Sequence, residues 1–307
     1  MSAKKLKVGA VVVAYQAPDG ELEALLSCIA AEVSTVAVVL NQAPSEEKRE
    51  LQALYPQLHW QRNSSNLGLA AAQNQGINAL LDQVDAILLL DQDSLPDAGT
   101  ILTLAEILAD LQAAGEPVAG VAPAYRQGKS GHWPGFVRIS RWGFSRLRPA
   151  SDQTAIPIDF AIASGTLMPV KALRAVGLMD ESLFIDHIDT EWCLRAAAGG
   201  YRLYGTERAA FSHSLGEQRY TFWLGRQRQV STHAPWRYYT MFRNSLLLYA
   251  RHEVPLRWKQ GDALRLLQIF LFVALCGPQR WAALRMMAKG MAHGMKGRAG
   301  PPPFLGH

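Results

Sequence analysis

Ala86-Ile87-Leu88-Leu89-Leu90-Asp91-Gln92-Asp93 decides the fold: an apolar run that stops at two carboxylates spaced i, i+2. The run suits a strand buried on both faces, as in a parallel sheet covered by helices. In an extended chain Asp91 and Asp93 point the same way, because side chains alternate with period two. Open α/β sheets bind ligands at the carboxyl ends of their strands. Two hard oxygen donors there suit Mg²⁺ or Mn²⁺ holding a diphosphate. A solvated Asp-rich turn, completed by Ser94 and Pro96, fits the same residues.

Outward from this stretch, strand and helix patterns alternate. Residues 8–14, 35–40, 58–61 and 86–90 read as strands, and 19–31, a segment from Ser45, 69–81 and 97–113 as helices. Asp19, Glu21 and Glu23 favour the first helix start, and Ser45, Glu46 and Glu47 the second. Residues 118–122 continue the pattern. Such alternation predicts an α/β fold with a single doubly wound, mostly parallel sheet flanked by helices. Residues 128–151 lose periodicity and read as loop and irregular strand, fit for a substrate loop or plain surface. Strands are expected at 156–163, 201–204 and 209–213, and a helix at 189–198, ended by Gly199-Gly200.

Of the 307 residues, 49% are hydrophobic, enough for one large domain over 1–255 and a helical extension over 256–307. Cys28, Cys193 and Cys276 lie far apart without a CxxC, which argues for a reducing compartment and against zinc. The short apolar run after the basic N-terminus suits a first strand better than a signal peptide. From Arg202 onward 16 basic residues face 4 acidic ones, so the last third is set to meet something anionic. No contiguous Lys/Arg block and no nucleic-acid-binding motif accompanies that charge, so no nucleic acid partner is expected.

Residues 264–276 are strongly apolar but interrupted, and too short for a spanning helix of ~20 residues. Downstream, Arg280, Arg285, Lys289, Lys296 and Arg298 alternate with Trp281, Leu284, Met286, Met287 and Met291. That pattern fits a helix lying on a membrane surface and equally one packed on the domain. The Pro-rich tail, residues 297–307, reads as disordered.

Several ordered motifs now carry a resemblance: VVVAYQ, NSSNLGLAAAQNQGI, LLLDQDS, ASGTLM, LFIDHIDTEWCLRAAAGGYRL, FSHSLGE and PWRYYTMFRNSLLL. Together they resemble the family 2 glycosyltransferases of the GT-A fold, and within them the bacterial rhamnosyltransferases of polysaccharide assembly. The resemblance implies that Tyr15, Gln16, Asn41, Asn66, Gly68, Asn74, Asp91, Gln92, Asp93 and Arg243 bind a nucleotide sugar. Arg237 is a second diphosphate candidate. Asn41 stands beside the position where the family usually has a base-pairing Asp. The resemblance further implies a divalent cation on Asp91, Asp93 and His213, with Asp189 as general base. Gly165, Thr166, Glu191 and Trp192 fall on acceptor positions. A carboxylate at a helix N-terminus would be held ionised by the dipole.

The activity so implied is inverting, metal-dependent transfer of L-rhamnose from dTDP-L-rhamnose to a glycan or lipid-linked oligosaccharide. It would take place in the cytoplasm or at the cytoplasmic face of the inner membrane. A UDP-sugar donor carrying another sugar is an alternative. A sugar nucleotidyltransferase is disfavoured, because AYQAPDGELE lacks a Gly-rich, Arg-bearing loop after the first strand.

Overall fold

A computed structural model describes residues 6–16, 20–43, 45–127, 133–140, 143–213, 219–223 and 227–304. The N-terminal half opens with β1 (Val8–Ala14), α1 (Glu21–Ile29), β2 (Thr35–Leu40), α2 (Glu46–Leu54), β3 (His59–Arg62) and α3 (Leu69–Leu80). Next come β4 (Ala86–Asp91), β5 (Ser94–Pro96), α4 (Thr100–Ala113) and β6 (Val118–Gln127). A hairpin of β7 (Phe136–Ser140) and β8 (Gly143–Leu147) leads to β9 (Ile156–Ile158), β10 (Leu167–Pro169), α5 (Val170–Val176) and α6 (Ile188–Ala198). The chain ends with β11 (Arg202–His213), β12 (Arg219–Trp223), β13 (Gln227–Ser231), α7 (Pro235–Tyr249), α8 (Leu256–Cys276) and α9 (Arg280–Met295).

The main sheet runs β3-β2-β1-β4-β10-β6-β11-β5, with β9 paired to β11. Strands β3, β2, β1 and β4 are parallel, as are β6 and β11; β10, β5 and β9 run antiparallel. Both faces of β1 are apolar for a simple reason. Val8, Ala10, Val12 and Ala14 join the core under α1 and α4, while Val11 joins the core under α3. A Cβ on Gly76 would lie 2.3 Å from the Val11 side chain, so this helix sits directly on the strand. The order of connection switches sides between the parallel strands β1 and β4, whose carboxyl ends therefore open a crevice.

Three local expectations change. The two strands read at 201–204 and 209–213 are one strand, β11, from Arg202 to His213, with register shifts between Arg202 and Leu203 and between Thr206 and Ala210. The segment read as loop and irregular strand holds regularly paired strands, β7 and β8, although residues 128–132 and 141–142 fall outside the described residues. The first helix begins at Glu21 behind Gly20, and Asp19 falls outside the described residues.

The C-terminal extension packs on the domain. A Cβ on Gly290 would meet the Tyr239 carbonyl at 2.4 Å, and one on Gly294 the Arg243 carbonyl at 2.7 Å. These two glycines let α9 lie backbone to backbone on α7. The tail is not disordered as far as Phe304. Gly300 donates to the Ser182 carbonyl at 2.6 Å and accepts from Arg243, while the Phe304 ring meets Tyr239 edge-on at 5.0 Å. Aromatic burial outweighs the composition signal there; residues 305–307 fall outside the described residues.

Helix α8 is longer than its apolar run and orients it unexpectedly. Its inward face holds Trp258, Asp262, Leu266 and Val273, and Asp262 is bound by Arg265 and Tyr249. Leu264, Leu267, Leu271 and Leu275 instead form an exposed stripe, Leu275 at 74%, and Trp281 extends it at 69%. Among the described residues no helix is long and apolar enough to cross a membrane.

Candidate active site

The crevice holds a cavity of about 440 Å³ lined by the tips of β1 and β4, the start of α6 and Arg237 of α7. Asp91, Gln92, Asp93 and Asp189 all border it. Strand alternation is not what aligns the two aspartates. Asp91 ends β4, and Gln92-Asp93 form a turn into β5. Gln92 ties that turn to β1: its Oε1 accepts from Tyr15 N at 2.7 Å and its Nε2 donates to the Tyr15 carbonyl at 3.2 Å. Ser164, unremarked in the sequence, accepts from Asp91 N at 2.9 Å and donates to Ser94 at 2.9 Å.

Burial pushes Asp91 up to about 7, with Asp93 and then Asp189 adding like-charge repulsion and Arg237 opposing it. Such crowding is what a divalent cation would relieve. Among the described residues no group of three or more His, Cys, Asp or Glu side chains gathers into a metal site. The Asp91–Asp93 pair nonetheless fits Mg²⁺ or Mn²⁺, which commonly take one or two carboxylates and complete their shell with substrate phosphates. His213 pairs with Ser94 through the β11–β5 ladder, which brings its backbone beside the pair. Its side chain lies outside the described residues.

Asp189 sits in the first turn of α6, its Oδ1 accepting from Thr190 N at 2.8 Å. The expected dipole effect does not win there. Burial is the largest influence and raises the Asp189 carboxyl above its ordinary 3.8, with Asp186 adding to the rise. A raised carboxyl is better matched to proton transfer near neutrality.

The loop before α6 is held in an unusual shape. Phe184, Asp186 and His187 have φ of 66°, 65° and 63°, values that non-glycine residues rarely adopt. Asn244 clamps it from α7, its Nδ2 donating to the carbonyls of Leu183, Ile185 and Asp186 at 3.0, 2.7 and 2.9 Å. The Asp186 carboxylate takes Arg237 and Thr240, each at 2.5 Å.

Several residues expected at the ligand serve the walls instead. Asn41 is buried and spent on Asn66, Gly68, Asn63 and Leu67. Asn66 in turn accepts from Gly68 N at 2.9 Å. Gly68 has a φ of 91°, and a Cβ there would meet Phe184 at 2.6 Å, so this glycine lets the acidic loop approach closely. Asn74 anchors that loop through both Met179 and Glu181.

Arg243, 1% exposed, points away from the cavity to the carbonyls of Leu183 and Gly300. Arg237, six residues earlier on α7, faces the cavity in its place. Gly165 donates to the Leu89 carbonyl, and Thr166 to that of Ile162. Glu191 is buried between Arg195 and Arg251, and Trp192 donates to the Gly177 carbonyl from the core. Gln16 is exposed beside the cavity rim, outside its lining.

Gln73 went unmarked. It lines the cavity at 3% exposure, and among the described residues its Oε1 has no hydrogen-bond partner. A buried carbonyl oxygen without a donor costs free energy until a ligand supplies one. Nothing in the linear sequence separates it from Asn74.

Residues 10–177, more than half of the chain, match the family model Glycosyl transferase family 2, and the chain belongs to that family. It is 30% identical over 249 residues to the dTDP-rhamnosyl transferase RfbF of Shigella flexneri, covering 80% of this chain and 81% of that one. By fold it is similar to GalNAc-T7 solved with UDP, GalNAc and Mn²⁺, with TM-score 0.56, 13% identity and 68% of this chain matched. This match spans 44% of that chain. The S. aureus TarS 1-349 structure matches at TM-score 0.54 and 14% identity, over 93% of this chain and 81% of that one. The protein is thus a GT-A glycosyltransferase, rhamnosyltransferase-like in sequence.

Proposed function

We propose that this enzyme transfers L-rhamnose from dTDP-L-rhamnose, with inversion and a divalent cation, to a glycan or lipid-linked oligosaccharide acceptor. One observation carries the reading: Asp91, Asp93, Arg237 and Asp189 line a single cavity. The sugar rests on the rhamnosyltransferase relative. Asp91 and Asp93 would hold Mg²⁺ or Mn²⁺, which when bound offsets the charge of the departing diphosphate. Arg237 supplies a guanidinium to phosphate oxygens from the opposite wall. Tyr15 and Gln92 border the nucleotide, and Gln73 accepts a hydrogen bond from the donor. Asp189 takes the acceptor hydroxyl proton as that oxygen attacks the anomeric carbon and the bond to the diphosphate breaks. No covalent intermediate is required.

The outward stripe of α8 and the basic residues of α9 support a lipid-linked acceptor met at the cytoplasmic membrane face. A helix with exposed leucines, a flanking Trp and an excess of cations is built to lie in an anionic interface. The deciding experiment offers the protein a panel of nucleotide sugars with Mn²⁺ and follows nucleoside diphosphate release. Release from dTDP-L-rhamnose above the other donors is the expected result. Equal release from all of them, or from a UDP-sugar alone, overturns the donor assignment.

A further inference from the structure

Gly165, Thr166, Glu191 and Trp192 hydrogen-bond within the walls and line neither the donor cavity nor its neighbours. A second cavity of about 310 Å³ shares Asp189 and Ile162 with the donor cavity but neither Asp91 nor Asp93. We propose that this chamber, roofed by the β7–β8 hairpin, is the acceptor subsite and takes a pyranose ring, with Trp133 and Arg146 as its selecting residues. The inference rests on the transferase reading above and deepens it.

The argument begins with stereochemistry. Inversion requires the attacking oxygen to approach the anomeric carbon from the face opposite the diphosphate. The diphosphate end of the donor cavity is fixed by Asp91, Asp93 and Arg237. Asp189 borders both cavities, so a hydroxyl entering from the chamber meets the base before it meets the donor.

The lining suits a sugar. Trp133 and Phe136 stand nearly perpendicular with ring centroids 4.9 Å apart, an aromatic corner against which the C–H face of a pyranose can pack. The Arg146 guanidinium borders the chamber with one nitrogen donating to the Gly135 carbonyl at 3.0 Å. A guanidinium has five N–H donors, so others remain for sugar hydroxyls. A few directed polar groups on an aromatic lining are the usual make-up of a small-molecule site.

The hairpin that brings these groups is fastened to the catalytic sheet. The Phe136 ring occupies the space above Gly205, where a Cβ would come within 2.6 Å of it. Val137 bridges Phe160, and Ile139 N donates to Asp159 at 2.6 Å. The roof is therefore a fixed wall, and its residues can discriminate among acceptors. Val137, Arg146, Phe160 and Thr190 also line a neighbouring cavity of about 290 Å³, which leaves room for a second residue of an oligosaccharide.

The test uses the full chain with methyl α-L-rhamnopyranoside, methyl β-D-glucopyranoside and methyl β-D-galactopyranoside as probes, read by saturation-transfer NMR. At least one should bind the parent protein. Trp133→Ala and Arg146→Ala should each weaken that binding about tenfold or more, while dTDP affinity, which reads the other cavity, stays within about twofold. Arg146→Lys, which keeps a cation but loses the fork, guards against a misfolded Trp133 variant and should also weaken binding. The inference is overturned if no pyranoside binds, if all variants bind as the parent does, or if pyranoside and dTDP affinities fall together. Failure of dTDP-L-rhamnose turnover would strike the donor reading alone, since pyranoside binding is measured without a donor.

Discussion

Replacing Asn244 with Ala should unlatch the acidic loop. Its amide donates to three carbonyls and its Oδ1 accepts from Arg243 Nε at 2.9 Å, from a side chain that is itself fully buried. The Leu183 carbonyl would keep Arg243 as a donor at 3.0 Å. Those of Ile185 and Asp186 would lose the partner described for them. An acceptor left unmatched costs about 1–3 kcal/mol, so two partly buried ones come to about 3 kcal/mol. For a chain of 307 residues that lowers the melting temperature by roughly 5 °C.

The kinetic effect should be larger than the stability loss alone would give. Three residues at positive φ each store on the order of 1–3 kcal/mol, and the loop relaxes once its clamp is gone. A base displaced by an ångström loses on the order of 100-fold in rate. Circular dichroism melting together with dTDP release from dTDP-L-rhamnose measures both effects. An Asn244→Ala protein that melts and turns over like the parent would refute the clamp.

Asp189→Asn should reduce transfer by about 10²–10⁴-fold with donor affinity retained, measured by initial rates and calorimetric titration. Equal loss of both would make Asp189 structural. In the parent the rate should fall with decreasing pH as Asp189 takes up its proton, and that limb should lie above 3.8 because burial raises the group. A pH–rate profile flat through the carboxylate range speaks against the base. Asp93→Ala should weaken Mn²⁺ binding in the presence of dTDP, followed by paramagnetic relaxation; an unaltered titration removes the ligand assignment. Leu271→Glu with Leu275→Glu should lower sedimentation with anionic vesicles and leave the melting curve unchanged, since both side chains are exposed. Unchanged partitioning would sink the interfacial reading.

The sheet was legible because its signals are local. Strands buried on both faces, such as β1, β2 and β4, announce themselves as unbroken Val and Leu runs, and β4 announces the site by ending in Asp91. The place of Asp189 beside the cavity, though not its role, was legible through its register with Trp192 and Arg195. What stayed hidden depends on which face of a helix meets which neighbour. Arg237 and Arg243 are equal candidates as text, and only the packing of α7 turns one to the cavity and buries the other. Gln73 and Asn74 differ by a single helical step with the same result. The tail failed for another reason: Pro and Gly suppress every periodic signal, while one ring, Phe304, docks it.

The clamp on the acidic loop also fixes when the enzyme can first act. Phe184 to His187 leave the ribosome early, yet Asn244 follows nearly sixty positions later, and Gly300, which braces Arg243, comes as far again beyond it. A nascent chain can complete β1 to β4 before the loop leading to Asp189 is clamped. Proteolysis that removes Gly300 would take one acceptor from Arg243 and loosen that brace in the finished molecule, without touching a residue that lines the cavity.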